Sequence, residues 1–394
     1  MKSLAPYYQN RMALVDLASG TIETTALPHD ILKAGIGGAA LATALAPGYP
    51  DAILLATGPL TGSFAPASGL MTATVTANGK TTHLALPQGH GAWLRRSGFD
   101  LLVITQAATK PCVIRCAKGD LTLVKETPLA QLPNRNALRE ALLRLTDDGL
   151  AGLLLADAHP GSNGSFTPSA GGENGTLPGA PVLGAAMAAK NLLALSLEGG
   201  CALPPIPVPL RGPLWQKVTQ NVETHRDALL RELELSSGSP VSLPAALSIK
   251  SAACYHCPSP CLAWIPGFSS LHLLAGDHVA LAAAVKSCGE NAGKCMAACD
   301  ARGADISAAA PLLAGLALGD SGQDIDSLLP DSTPALSPAP PPDEAEKAGL
   351  ILGICPRLIR RKGLTAEDLA QAAGAALAPR LADAASLLTQ EVYI

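Results

Sequence analysis

Aromatic side chains are scarce: four Phe, three Trp and five Tyr make up 3% of 394 residues. A core of this size must therefore be built from Ala, Leu and Val. Charge is scarce too, at 15% of residues, with a net charge of −4 and no basic block. That argues against nucleic acid as a partner. No apolar run reaches the roughly 18–20 residues that span a bilayer. The longest candidate, residues 306–318, is short and interrupted by Pro311. Nothing in residues 1–11 resembles a signal peptide, so the chain reads as soluble and cytoplasmic. No Ser/His/Asp spacing stands out and no H-E-x-x-H occurs, which disfavours an independent hydrolase or transferase. No complete G-x-G-x-x-G follows a clear strand, so nucleotide binding has no support.

What is plentiful is glycine (38), proline (33) and cysteine (10). Three cysteines share one tight loop, Cys254-Tyr-His-Cys257-Pro-Ser-Pro-Cys261, and Cys355 stands far downstream in Gly353-Ile354-Cys355-Pro356. Three thiolates in a loop plus a distant fourth is how a chain wraps a [4Fe–4S] cube. The loop grips three irons and the fourth ligand ties in a remote segment. Pro258 and Pro260 hold the loop extended and remove N–H groups that would compete for structure. The pattern points to electron transfer. Zinc also takes four thiolates, but structural zinc sites usually pair two short C-x-x-C knuckles, and only one exists here. Disulfides need an oxidising compartment. Zinc, and cysteines that are merely buried, stand as the other readings.

The elements expected along the chain define an α+β fold. A β-rich platform domain comes first, followed by a mostly α-helical cluster-binding domain. Residues 12–17 and 21–25 flank Ser19-Gly20, a hairpin signal, and residues 71–76 and 81–86 flank Asn78-Gly79, another. Residues 31–45 read as a Gly/Ala-rich helix, 52–56 and 101–105 as buried strands, and 94–98 as a short helix. A further hairpin is expected from 113–115 and 121–124. Then come an amphipathic helix over 136–145, a strand over 150–156, a Gly/Ser/Asn/Pro-rich loop over 160–181, a helix over 182–190 and a strand over 192–197. Helices are expected over 214–234, 277–301, 306–318 and 345–362. The Pro-rich stretch 320–345 reads as a linker or surface loop. Thr365 starts a last helix with a capping-box-like pattern that lacks Glu or Gln at the third position. The domain boundaries expected are 1–205, 206–319, the linker, and 346–394.

These motifs, in this order, resemble the tungsten-dependent aldehyde ferredoxin oxidoreductases. The resemblance is carried by Val15-Asp16-Leu17-Ala18-Ser19-Gly20 and by Ala56-Thr57-Gly58-Pro59-Leu60-Thr61-Gly62 with Ala65-Pro66-Ala67-Ser68-Gly69. It continues through the glycine-bounded segment Gly91–Asp100, the stretch from Leu183 to Leu192, the cysteine loop, the segment from Cys299 to Ser307, and Cys355. It implies a β platform followed by two mostly helical domains. It also implies a [4Fe–4S] cluster held by Cys254, Cys257, Cys261 and Cys355, beside a tungsten ion on two pterins. Members of the family oxidise aldehydes and pass electrons to ferredoxin.

The departures from that pattern shape the functional expectation. Pterin phosphates need guanidinium forks or backbone N–H donors. Ala39, Leu70 and Ala180 stand where the family's glycine-rich motifs carry arginine. The long segment between the cysteine loop and Cys355 is shortened to a Pro-rich stretch. Of the acidic metal motif, only Gly276-Asp277-His278 remains. The expectation is a shortened, degenerate member that keeps the cluster and lacks tungstopterin. It would act as an electron-transfer or scaffold subunit with ferredoxin or other electron-transfer subunits, in an oligomer or complex. A minimal tungsten- or molybdenum-pterin oxidoreductase and a purely structural subunit are the alternatives.

Smaller features carry plainer expectations. His256 either donates to a cluster sulfur or is a solvated loop residue. His90 is a turn residue rather than an anion contact. Cys288, Cys295 and Cys299 share one helix face as small buried hydrophobes or, less simply, as a second cluster site. Cys112 and Cys116 flank a strand and are structural. Arg95, Arg96 and the basic group Arg357, Arg360, Arg361 and Lys362 read as solvated helix faces, the second group alternatively as a dock for an acidic partner. Glu173 and Asp157 have no assignable partner.

Overall fold

The computed structural model describes residues 5–393 except 78, 126, 133–134, 147–151, 157–170, 173–174, 177–180, 207–211, 221–222, 268–271, 276–277, 303–305, 315–340 and 390. Most of the loop expected over 160–181 and of the Pro-rich stretch over 320–345 lies outside the described residues, as do Asp157, Glu173, Ala180, Gly276 and Asp277.

Strands with hydrophobic residues at every position need both faces covered. Ile53–Thr57 is buried at all five positions. It lies at the centre of a seven-stranded sheet with order Glu391–Tyr393, Lys80–Leu86, Met71–Ala77, Ile53–Thr57, Leu101–Thr105, Met12–Asp16, Ile22–Thr25. Because side chains alternate across a strand, Ile53 and Leu55 face one core while Leu54 and Ala56 face another. The first of these cores is shared with a second sheet, ordered Gly175–Thr176, Gly171–Gly172, Gly152–Leu155, Leu192–Gly199, Cys112–Ala117, Asp120–Val124. The second core is closed by the helix Gly38–Leu45 and by the C-terminal helices Glu344–Leu352, Pro356–Lys362, Ala366–Ala373 and Ala378–Ser386. All three expected hairpins form, with Met12 opposite Thr25, Ala77 opposite Lys80, and Ala117 opposite Asp120.

Four expected helices are broken, each for a local reason. The helix expected over 31–45 is two, His29–Gly35 and Gly38–Leu45. Ile36 and Gly38 have φ of 57° and 51°, and a Cβ on Gly38 would lie 1.9 Å from the Leu350 carbonyl oxygen. The helix over 277–301 divides into His278–Cys288 and Ala292–Arg302 around Gly289, at φ 56°. The helix over 345–362 divides at Gly353, at φ 88°. The one over 214–234 divides into Pro213–Thr219 and His225–Ser237, where the Thr224 hydroxyl accepts the Asp227 N–H as a fresh cap. Apolar periodicity runs straight across these breaks and therefore hides them.

The helical domain also contains a three-stranded antiparallel sheet, Lys250–Ala252, Leu262–Pro266 and His272–Ala275. The cysteine loop is the connection of its first hairpin, closed where Ala252 faces Leu262. At the last described helices, Thr365 has a complete capping box after all. Asp368 at the third position returns its carboxylate to the Thr365 N–H at 2.7 Å, doing the work expected of Glu or Gln. Among the described residues no helix is long and apolar enough to cross a membrane.

A buried charge cluster joins the platform to the helical domain. Arg135 and Arg139, on the helix Arg135–Arg144, reach Asp300 on Ala292–Arg302 at 3.3 and 2.9 Å. Burial pushes the Asp300 carboxyl up, but Arg139 and Arg135 outweigh it and hold it below the usual range. A carboxyl depressed in the folded state contributes stability above its unfolded value, about 3.9, and that contribution fades as pH falls toward the folded value. Asp300→Ala strips two buried guanidiniums of their carboxylate and is expected to cost about 3–5 kcal/mol in denaturant unfolding. Asp300→Asn is expected to flatten the loss of stability on acidification. A cost under about 1 kcal/mol would show that the cluster does not hold the domains together.

Candidate metal centre

The centre is built on the platform loop that follows Ile53–Thr57. Arg95 is fully buried and spends its donors on that loop: Nε to the Thr57 hydroxyl at 3.2 Å, and Nη1 to the carbonyls of Pro59 at 3.3 Å and Thr61 at 3.0 Å. Nη2 donates to Asp100 at 3.0 Å and to the Tyr7 carbonyl. The expected solvated face is thus corrected for Arg95: its five N–H groups find buried acceptors, so burial is sustainable. The loop so fixed receives the chain just before Cys355. The Leu60 N–H donates to the Leu352 carbonyl at 2.9 Å, and a Cβ on Gly58 would lie 2.1 Å from the Leu352 carbonyl carbon.

Ala67, further along the same loop, holds both parts of the cysteine set. Its carbonyl accepts the Cys355 N–H at 3.0 Å and its N–H donates to the His256 carbonyl at 3.1 Å. The Tyr255 N–H donates to the Gln88 carbonyl at 2.9 Å, and the Tyr255 hydroxyl reaches the Gly62 carbonyl at 3.2 Å. All four predicted cysteines are consequently brought together. Cys254, Cys261 and Cys355 are buried, Cys257 is half-buried, and the thiols of Cys254 and Cys355 are hydrogen-bonded. Among the described residues no three His, Cys, Asp or Glu side chains converge to hold one metal ion. A four-iron cube takes one thiolate per iron, so its cysteines do not need to converge on a single point as zinc ligands do.

Three of these four thiols resist ionisation, and the fourth, Cys355, ionises more readily than a free thiol. Burial pushes Cys257 up to about 11 and Cys261 up to about 12. Cys254 is raised by its bond to Cys355 and by burial, and Cys355 is lowered by the same bond, by Arg357 and by the backbone N–H groups of Leu358 and Arg357.

The basic group after Cys355 is the larger surprise. Arg357 and Arg361 are buried beside the cysteine loop, not solvated, because the helix Pro356–Lys362 turns both inward one turn apart. Arg357 donates to His278 Nδ1 at 2.6 Å, while His278 Nε2 lies 2.8 Å from the Cys261 carbonyl. Those partners place the imidazole proton on Nε2. Burial first, then the two guanidiniums, push His278 well below its ordinary value, so it is neutral. Arg361 donates to the Ser259 carbonyl and lies 3.8 Å from the buried Glu232. It stands close enough to Cys261 to interact electrostatically, yet its Nε and Nη1 have no aligned hydrogen-bond partner. Arg360, more exposed, pairs with Glu346 at 2.7 Å.

Other expectations sort as follows. His256 is exposed, at φ 52°, and its ring is stacked between Tyr255 (4.2 Å) and Phe64 (5.7 Å). His90, expected as a turn residue, is the first residue of the helix His90–Arg96 directly after the turn at Gly89, and it is buried with its ring nitrogens on the Pro87 and Leu153 carbonyls at 3.0 and 3.3 Å. Cys288, Cys295 and Cys299 touch one another but come from two helices, in the apolar core of the second domain. Cys112 and Cys116 lie within one strand, both buried. All ten cysteines are free thiols. Sequence reading missed Ala67, Glu232 and the inward turn of Arg357 and Arg361. The i, i+4 spacing of the two arginines was the available signal.

A two-layered β platform whose loop seats a cysteine hairpin and a distant fourth cysteine defines the architectural class. Residues 12–199 match the family model described as aldehyde ferredoxin oxidoreductase, N-terminal domain. Among solved structures it is similar to the active site complex BamBC of benzoyl coenzyme A reductase in complex with 1,5-dienoyl-CoA. The TM-score is 0.60 at 14% identity, over 92% of this chain and 64% of that one. At that identity the likeness speaks for the fold, and this chain spans under two thirds of the length of that relative. No curated protein matches the sequence.

Two outcomes follow from the geometry. Gly353 has φ 88°, and a Cβ there would lie 2.0 Å from the Thr61 hydroxyl oxygen. Gly353→Ala is expected to cost about 1–3 kcal/mol and to make Cys355 reactive toward a thiol reagent in the metal-free protein. Unchanged reactivity and stability would mean that this approach does not place Cys355. Since the raised thiols must lose protons to bind metal, iron and sulfide loading is expected to strengthen from about pH 7 to about pH 9. A flat profile over that range would contradict the raised thiols.

Proposed function

We propose that this chain is a [4Fe–4S] electron-transfer subunit related to the aldehyde ferredoxin oxidoreductases, working without tungstopterin inside a larger redox assembly. The carrying observation is Ala67, which ties the cysteine hairpin and the Cys355 segment to one rigid loop. Cys254, Cys257, Cys261 and Cys355 would hold the cluster, and their donor set fits it. So does the orphaned Arg361 guanidinium, which has buried N–H groups to offer an anionic sulfur site. When bound, the cluster supplies one-electron chemistry. The residues around it bury the sulfurs, exclude water and offset their charge.

Leaving out tungstopterin is supported by three features. Ala39 and Leu70 are buried apolar residues in place of the family's arginines. The first glycine motif is covered by the chain's own backbone at Leu350 and Ile351. The second is covered by the cysteine loop, since a Cβ on Gly69 would lie 2.6 Å from Tyr255 Cβ. No anionic cofactor is served by apolar side chains and self-packed glycines.

Ferredoxin-like proteins or other electron-transfer subunits are the partners of this reading, in the cytoplasm, where ten free thiols persist. The test is metal analysis of anaerobically purified protein. About four irons per chain, no tungsten or molybdenum, and reversible reduction are expected. Stoichiometric tungsten or molybdenum would restore a pterin oxidoreductase. Iron that cannot be reduced reversibly would leave a structural clamp, and zinc without iron would overturn the proposal.

A further inference from the structure

We propose that Arg361 sets the reduction potential of the cluster held by the four cysteines, with Glu232 as the counter-charge that limits its effect. The inference rests on the cluster reading above and adds the group that tunes it.

The argument begins with an unbalanced burial. The Arg361 side chain is 1% exposed and that of Glu232 is 5% exposed. Burying a guanidinium is costly unless its N–H groups are satisfied. Here one carbonyl, Ser259, is satisfied by Nη2, while the nearest carboxylate oxygen is 3.8 Å away. Nε and Nη1 have no aligned oxygen or nitrogen acceptor, and the side-chain group that the guanidinium reaches in the cysteine loop is the Cys261 thiol. The loop itself is therefore the remaining acceptor. Thiolate and sulfide sulfurs at that place would take N–H groups from these two nitrogens, which neutral thiols serve poorly.

The sign of the effect follows from charge. Reduction adds one electron to the cluster and breaks no bond, so the reduced form is more negative by one unit. A buried cation close by favours that form, and hydrogen bonds to cluster sulfurs act in the same direction. Glu232, 3.8 Å from the guanidinium and close enough to Cys257 and Cys261 to act on both, opposes it. Arg357 does not replace Arg361, because its Nη1 is committed to His278. Exposed Arg360 is paired with Glu346.

The experiment is a potentiometric titration of the full-length, cluster-loaded protein, followed by electron paramagnetic resonance and by iron count. Arg361→Gln is expected to keep its iron and to shift the reduction equilibrium at least tenfold toward the oxidised form, equivalent to about 59 mV for one electron. Arg361→Lys is expected to restore most of that shift. Glu232→Gln is expected to move the equilibrium the other way, and it tests the idea even where Arg361→Gln fails to fold. An iron-replete Arg361→Gln protein with an unchanged potential would overturn the inference and leave the cluster reading standing, as would a Glu232→Gln protein with no shift. Wild-type protein without iron would overturn the cluster reading first, and this inference with it.

Discussion

The structure depends on one buried cation. Arg95 sits beneath the platform loop and binds three of its residues, while Asp100 balances its charge. A guanidinium without these acceptors could not stay buried, since removing one partner of such a pair costs about 3–5 kcal/mol. With them, residues 57–62 become a fixed surface. Everything at the centre is then referred to that surface: the segment before Cys355 through Leu60, the cysteine hairpin through Gly62, and both through Ala67 a few residues on. Two segments nearly a hundred residues apart thereby meet at fixed separation. A multi-ligand metal centre requires that of any chain.

Glycine does the complementary work. At Gly58 the backbone of one segment lies where another residue would have a side chain, and at Gly353 a positive φ coincides with such an approach. These contacts give the C-terminal helices a seat on the platform. The same close packing runs through Gly37, Gly38 and Gly69, beside the buried apolar side chains of Ala39 and Leu70. These glycine-rich segments are internal interfaces between distant parts of the chain.

Around the cysteines, the charged and titratable groups are buried and held by one another. His278 is neutral and locked in one tautomer by Arg357 and the Cys261 carbonyl. The thiols are raised by burial, and the titratable groups nearby are held in pairs. Arg361, although 3.8 Å from Glu232, has buried Nε and Nη1 groups with no aligned oxygen or nitrogen acceptor among the described residues.

The sequence by itself determined the strands, the three hairpins and the cysteine spacing. These are written in local signals: runs of apolar residues, glycine at turn positions, and thiols two and three residues apart. It also determined that the platform would be built from small side chains, because hardly any large aromatic ones exist. Tertiary structure decided where three of the four helices break, since left-handed glycines interrupt an apolar period without altering it; the fourth breaks before the Thr224 cap. It decided that the cysteine loop closes a hairpin in a small third sheet, because strands of three to five residues have too few alternations to read. It also turned Arg95, Arg357 and Arg361 inward. Composition assigns arginine to the surface; only the buried carbonyls, carboxylates and sulfur atoms supplied by distant segments make the interior its place.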